Sequence, residues 1–263
     1  MKRFFFALAF MLSCLQTAHA EPSEAAQRKI MFFGHDDRII VRTPFAPTYA
    51  AIGVMRTQHQ YDCTATLISP DTAVTAAHCF WMASKNMDQG EWFMTAYDNG
   101  QYTAKYRVVS QIFNPQFKAG LDRRKDGVYI TKKARQYDIA IIRVKLVEGE
   151  APKPMRMFSG NRSRLQQVLA KARNVVNQAG YPEDQDDIMA AHLRCKITAL
   201  SPDNTVFHRC DTLEGDSGSP IWVDTPEGPL LVAVQSSAPP YEARDDVDNI
   251  GVTTLQLPEL PAR

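Results

Sequence analysis

The sequence has no charge excess. Thirty Lys and Arg stand against 29 Asp and Glu, a formal net charge of +1. Nothing in that balance asks for nucleic acid or an anionic membrane as a partner. Long apolar runs are also missing. The apolar stretch at residues 4–15 is too short to span a bilayer comfortably, so no stable membrane anchor is expected. No Cys-x-x-Cys pair occurs, which speaks against a zinc site, and neither a metal nor another cofactor is expected. There are no repeats, collagen-like periods or coiled-coil heptads.

What is present suits two small domains or one large β-protein: 263 residues, 44% apolar and 22% charged. The first twenty residues read as a cleavable export signal. Lys2 and Arg3 precede the apolar run, and Ala18-His19-Ala20 gives the small-x-small pattern cut by signal peptidase. A lipoprotein signal around Cys14 is the competing reading, and the bulky Leu12 argues against it. The expected location is therefore periplasmic or secreted. Loss of Cys14 with the signal leaves Cys63, Cys79, Cys195 and Cys210. An even count in an oxidising compartment reads as two disulfides. Three connectivities are open, and local pairing, Cys63–Cys79 with Cys195–Cys210, is the simplest.

Residues 21–33 read as a leader or short pro-segment. From Ile39 onward, short apolar runs rich in β-branched residues are broken by Pro, Asn, Asp and Gly. Such runs predict many short strands and an all-β sandwich or barrel. One stretch differs. Leu165, Val168, Leu169 and Ala172 recur at helical spacing, which predicts an amphipathic helix from Ser163 to Val175, capped by Asn161 or Ser163. Residues 116–135, with Lys118, Arg123, Arg124, Lys125, Lys132, Lys133 and Arg135, read as a solvated basic loop, with a docking site for an acidic partner as the competing reading.

Three motifs carry chemistry. Gly215-Asp216-Ser217-Gly218-Ser219-Pro220 places a serine between glycines, where a sharp turn exposes the hydroxyl and aims successive N–H groups at one point. Thr75-Ala76-Ala77-His78-Cys79 sets a histidine after small residues and beside a half-cystine. Tyr137-Asp138-Ile139-Ala140-Ile141-Ile142 places an acid directly before an apolar strand, where burial is costly without a partner. The bland readings are a Gly-Ser turn, a surface or core histidine and an exposed turn aspartate. Together, however, the motifs supply a nucleophile, a base and an orienting acid. His35, His59, His192 and His208 read as surface or satisfied core residues.

These blocks resemble those of the trypsin/chymotrypsin family, with Ser219 where many members have a second glycine. The resemblance runs from about residue 34 to residue 255. The Ser219-Pro220 ending, Gly180-Tyr181-Pro182, Cys210-Asp211-Thr212 and the near absence of a helix after Val252 are similar to the bacterial glutamyl-endopeptidase-like branch. The resemblance implies two antiparallel six-stranded β-barrels with the active site in the cleft between them. The implied layout is an N-terminal barrel over 34–158, a connector with a helix over 159–178, a C-terminal barrel over 179–255 and a tail over 256–263.

The function so implied is a serine endopeptidase acting on a protein or peptide. Ser217 would be the nucleophile, His78 the base and Asp138 its orienting acid, with the N–H groups of Gly215 and Ser217 as the oxyanion hole. Gln235, Ser236 and Ser237 resemble the segment that pairs with substrate, and Ser236 matches a serine that also bonds the triad aspartate. Asp211 and Thr212 fall where the family builds its specificity pocket. Asp211 matches the trypsin selector for Lys or Arg, whereas Gln235 replaces the histidine of the glutamyl branch. The rival functions are a silent binding module on the same fold and an esterase.

The resemblance also bears on activation. Arg38-Ile39 offers a trypsin-type cut, but no Gly-Gly follows, and residues 34–38 resemble a segment that mature glutamyl-branch enzymes retain. Arg38 is therefore expected to stay uncut, with any later processing near Lys29. Asp216 would then need a donor other than a new N-terminus.

Overall fold

The computed structural model describes residues 32–81, 86–125, 127–185, 187–238 and 247–258. The expected export signal at 1–20, most of the expected leader at 21–33, including Lys29, and residues 259–263 of the expected tail lie outside the described residues.

The strands follow in chain order as β1 (Ile39–Ile40), β2 (Ile52–Thr57), β3 (Asp62–Ser69), β4 (Thr72–Thr75), β5 (Gly90–Thr95), β6 (Ala104–Phe113), β7 (Leu121–Arg123), β8 (Val128–Ile130) and β9 (Ala140–Gly149). They continue as β10 (Arg156–Met157), β11 (Val175–Gly180), β12 (Ala190–Leu200), β13 (Thr205–His208), β14 (Pro220–Thr225), β15 (Gly228–Ser237) and β16 (Asn249–Thr253).

The first barrel closes in the order β2-β3-β4-β9-β6-β5, with every pairing antiparallel. The second closes through β12-β11-β14-β15-β16-β13, because β13 pairs back onto β12. Closure removes the open sheet edges that a flat β-protein would have to protect. Ile52, Phe80, Phe93, Tyr106 and Ile142 fill the first barrel without exposure. Each buried side chain of that size contributes about 1.5–3 kcal/mol. Trp222, Leu231, Val234 and Val252 of the second barrel join the same apolar cluster, so the core is continuous across the cleft.

Two short strands in the stretch expected to be first barrel hydrogen-bond to the second sheet. β1 pairs with β12, and β10 runs parallel to β15. Both ends of the first-barrel segment therefore strap across the other barrel.

The connector helix is shorter than its spacing predicts. It spans Arg162–Lys171, with Asn161 accepting the Arg164 N–H as N-cap. It stops early because Arg173 and Asn174 take left-handed φ values of 54° and 56°, and Val175 already starts β11. Leu165 and Leu169 face the second core.

The basic stretch is likewise structured rather than a simple loop. It folds as a helical turn at Pro115–Ala119, the β7–β8 hairpin and a second turn at Lys132–Arg135. Apolar residues between the charges hold it down. Phe117 and Ala134 are fully buried, and the Phe117 ring lies 5.5 Å from Trp81. No described helix is long and apolar enough to cross a membrane.

Candidate active site

The first wall of the cleft is built within the first barrel. β4 ends at Thr75, and the buried Ala76 and Ala77 let the chain turn tightly under the rim. The helical turn Ala77–Phe80 then carries His78, and Cys79 beside it is bonded to Cys63 on β3. The neighbouring strand β9 pairs Ala140 with Thr75, which brings Asp138 to the same end of the barrel. Asp138 has 0% exposure. A lone carboxylate there would carry a desolvation penalty of several kcal/mol, about. It is instead held by the His78 backbone N–H at 2.7 Å, His78 Nδ1 at 2.7 Å and Ser236 Oγ at 2.6 Å. A carboxylate only accepts, so Nδ1 carries the imidazole proton and Nε2 is left as an acceptor.

The second wall is the loop before β14. Gly215 and Gly218 hold φ at +89° and +84°, a left-handed conformation that a side chain strains. At Gly218 a Cβ would also lie 2.2 Å from Thr75 Oγ1 and 2.3 Å from the Thr64 carbonyl. The loop thus packs directly onto the first barrel. Thr64 ties it there: its N–H donates to the Ser217 carbonyl at 2.9 Å, and its hydroxyl donates to the Gly215 carbonyl at 3.0 Å. Ser217 Oγ lies 2.8 Å from His78 Nε2. With the tautomer set by Asp138, that hydroxyl donates to the imidazole. The N–H groups of Gly215 and Ser217 donate to no acceptor among the described residues.

Electrostatics support a base at His78. Burial opposes its protonation, but the charge of Asp138 and the bond to it outweigh burial, and the pKa rises above the usual 6.5. Asp216 is buried next to Ser217 in the chain, and burial pushes its pKa up to about 7. Its partners are internal: the Leu213 N–H at 3.0 Å and the Ser219 hydroxyl at 3.4 Å, with the Arg38 charge nearby.

The residues expected to bind substrate divide into two groups. Ser236 and Ser237 lie at the cleft end of β15, and the Ser236 hydroxyl donates to Asp138. The Gln235 backbone is engaged internally, by the Gly218 N–H and the Ser219 carbonyl. Asp211 and Thr212 are buried, and both have partners inside the protein. The Asp211 carboxylate accepts the Asp37 N–H at 2.8 Å and lies 3.0 Å from His192 Nδ1, while Thr212 Oγ1 accepts from Gln178. Asp211 therefore anchors the N-terminal strap and is not a free pocket anion. Asp37, His192 and Asp211 could group around a cation, but His192 Nδ1 already accepts the Asp211 N–H. His208 is fully buried, and burial pushes its pKa down to about 4, so it is neutral. An open cleft of about 380 Å³ is lined by Gly215 together with Tyr61, Asp62, Tyr181, Glu183 and Glu214, among others.

Thr64 and Asp184 carry no sequence signal. Thr64 is one polar residue in an apolar strand, and Asp184 is one acid in an acidic turn. Their roles depend on contacts from distant parts of the chain.

A profile of the trypsin-like peptidase domain matches residues 63–232. Among curated protein sequences, none matches the chain. Among solved structures, a Glu endopeptidase in complex with MPD superposes with a TM-score of 0.64 at 19% identity, over 86% of this chain and 95% of its own. Protease Anisep from Arthrobacter nicotinovorans superposes at 0.55 and 16%, over 79% and 91%. The thermostable serine protease AL20 from an extremophilic microorganism gives 0.52 and 14%, over 79% and 92%. At these identities the superpositions establish the fold, a pair of chymotrypsin-like barrels. The profile match spans more than half of the sequence, and the chain belongs to the trypsin-like peptidase family.

Proposed function

We propose that the protein is an exported serine endopeptidase that cleaves peptide bonds through an acyl-enzyme on Ser217. The observation that carries this reading is the unbroken line from Asp138 to His78 to Ser217, at 2.7 and 2.8 Å, with the Gly215 and Ser217 N–H groups left without an acceptor among the described residues. Ser217 attacks the carbonyl, and His78 Nε2 takes its proton and later gives it to the leaving amine. Asp138 holds the tautomer and stabilises the imidazolium. The N–H groups of Gly215 and Ser217 receive the oxyanion, where one donor is worth about 100- to 1000-fold in turnover.

Export to the periplasm or medium follows from the signal at residues 1–20 and accords with two disulfides. The chain layout we infer is an N-terminal barrel over 34–158, a connector over 159–178 and a C-terminal barrel over 179–255, strapped by β1 and β10. Because the buried Asp211 carboxylate is engaged by the Asp37 N–H, a Lys or Arg preference through that residue has no support.

The test is labelling of purified mature protein with a fluorophosphonate, alongside Ser217→Ala. Label at Ser217, with peptide hydrolysis lost in the variant, is the expected result. Absence of label in folded wild-type protein would favour a silent binding module. Ester turnover without peptide turnover would favour an esterase.

A further inference from the structure

Arg38 is the residue after which a family-type activating cut would fall, yet its side chain is among the most confined cations described. It is 4% exposed and lies with its guanidinium 4.2 Å from the Phe32 ring centroid. Two carboxylates grip it. Asp184 accepts from Nη1 at 3.0 Å and from Nη2 at 2.7 Å, while Asp36 accepts from Nε and Nη2, each at 2.9 Å. A fork of parallel bonds of this kind fixes position as well as charge.

Asp184 sits in the turn Glu183–Gln185, with the Gln185 N–H closing it onto the Pro182 carbonyl. From that turn the Glu183 N–H donates to the Glu214 carbonyl at 2.8 Å. A trans peptide sets the Glu214 carbonyl and the Gly215 N–H in opposite directions. Holding the carbonyl toward Glu183 therefore turns the Gly215 N–H the other way. Gly215 has no side chain to resist rotation of that peptide, so orientation must come from outside. The Thr64 bond fixes the following carbonyl, and the turn gripped by Arg38 fixes the preceding one.

We propose that Arg38 is a positioning residue for oxyanion binding: through Asp184 it holds the Glu183–Gln185 turn, and that turn sets the Glu214–Gly215 peptide so that the Gly215 N–H meets the reacting carbonyl. The strap is then a permanent part of the working enzyme, and the Arg38–Ile39 bond stays intact in it. Asp216 gains a nearby cation from the same side chain without a new N-terminus. The inference rests on the reading of Gly215 as an oxyanion donor.

Stability alone does not test it, because breaking a buried ion pair destabilises a protein whatever the pair does. The informative comparison is of kcat and KM on a peptide p-nitroanilide chosen from a mixed library, with affinity for the aldehyde of the same sequence. The aldehyde's hemiacetal oxygen occupies the oxyanion position. Arg38→Met should lower kcat about 100-fold and weaken aldehyde binding by a similar factor. KM should stay within about threefold, because the lost interaction exists only in the transition state. Arg38→Lys, which keeps the charge but not the fork, should recover part of the loss. If Arg38→Met does not fold, Asp184→Asn carries the same test, with about a tenfold loss in kcat and unchanged KM expected.

A folded variant with wild-type kcat and aldehyde affinity would overturn the inference. So would active native protein whose dominant N-terminus is Ile39. Fluorophosphonate labelling of Ser217 in the wild type separates this outcome from failure of the catalytic reading itself.

Discussion

His78 and Asp138 are held by the barrel that carries them, whereas Ser217 is held by parts of the protein far from its own strand. Pairing of β4 with β9 brings His78 and Asp138 to one rim, a disulfide flanks His78, and the buried Asp138 takes two of its three bonds from His78 itself and the third from Ser236. The serine loop has little regular structure of its own. It is placed by Thr64 from the first barrel, by the Gln235 carbonyl and by the turn that Arg38 holds. The difference teaches where each half is vulnerable. Damage at His78 should come mainly from changes inside its own barrel, with Ser236 a contact from the other, and damage to the Ser217 loop from changes across the cleft.

The largest expected effect breaks the first wall at its centre. Asp138→Asn leaves the geometry but favours the wrong imidazole tautomer, and turnover should fall about 10,000-fold, as the equivalent change does in the trypsin family. Steady-state kinetics beside a circular dichroism spectrum check it; a folded variant within about tenfold of wild type would remove Asp138 from the mechanism.

A smaller effect sharpens the comparison between walls. Cys63–Cys79 and Cys195–Cys210 close loops with separations of 16 and 15 residues. Removing either with paired alanines should cost about 3 kcal/mol in the chain-entropy view, with nearly equal shifts in a urea titration. Only loss of Cys63–Cys79, which flanks His78, should also lower kcat in the folded protein, by about 10- to 100-fold, through misplacement of the base. Equal effects of the two pairs on kcat would show that the base is not held by its disulfide.

The smallest effect is one of pH. The proposed reaction needs His78 neutral at Nε2, and Asp138 raises its pKa, so the acid limb of kcat/KM should fall above pH 6.5. For stability the sign is opposite. The protonated pair stabilises the fold fully below pH 6.5, and that contribution is lost as pH rises through the raised folded value. A limb centred below pH 6.5 in the wild type would mean that burial outweighs the carboxylate.

Much of the site was legible in the sequence, since each block combines residue types that chemistry requires with neighbours that allow the turn. Ala76 and Ala77 announce a tight approach, and the glycines flanking Ser217 announce an exposed hydroxyl. The helix from Ser163 was legible as an element but not in its end, because no periodicity marks Arg173 and Asn174 as left-handed. The stretch from 116 to 135 looked solvated because charge dominates its composition. Phe117 and Ala134 decide its structure by contacts with Trp81 and the chain around Gly120.

By itself the sequence determined the kinds of groups present and the local shapes they take. These are an acid before an apolar strand, a histidine beside a half-cystine and a serine between glycines, because propensity and pattern act over a few neighbouring residues. Tertiary structure alone decided which charges are free. Asp211 has the residue identity of a pocket anion, yet the Asp37 N–H holds its carboxylate. Arg38 has the identity of a cut site, yet Asp36 and Asp184 hold its guanidinium. A carboxylate or a guanidinium takes whatever partners the fold brings within about 3 Å, and those partners here lie as far as 174 residues away in the chain.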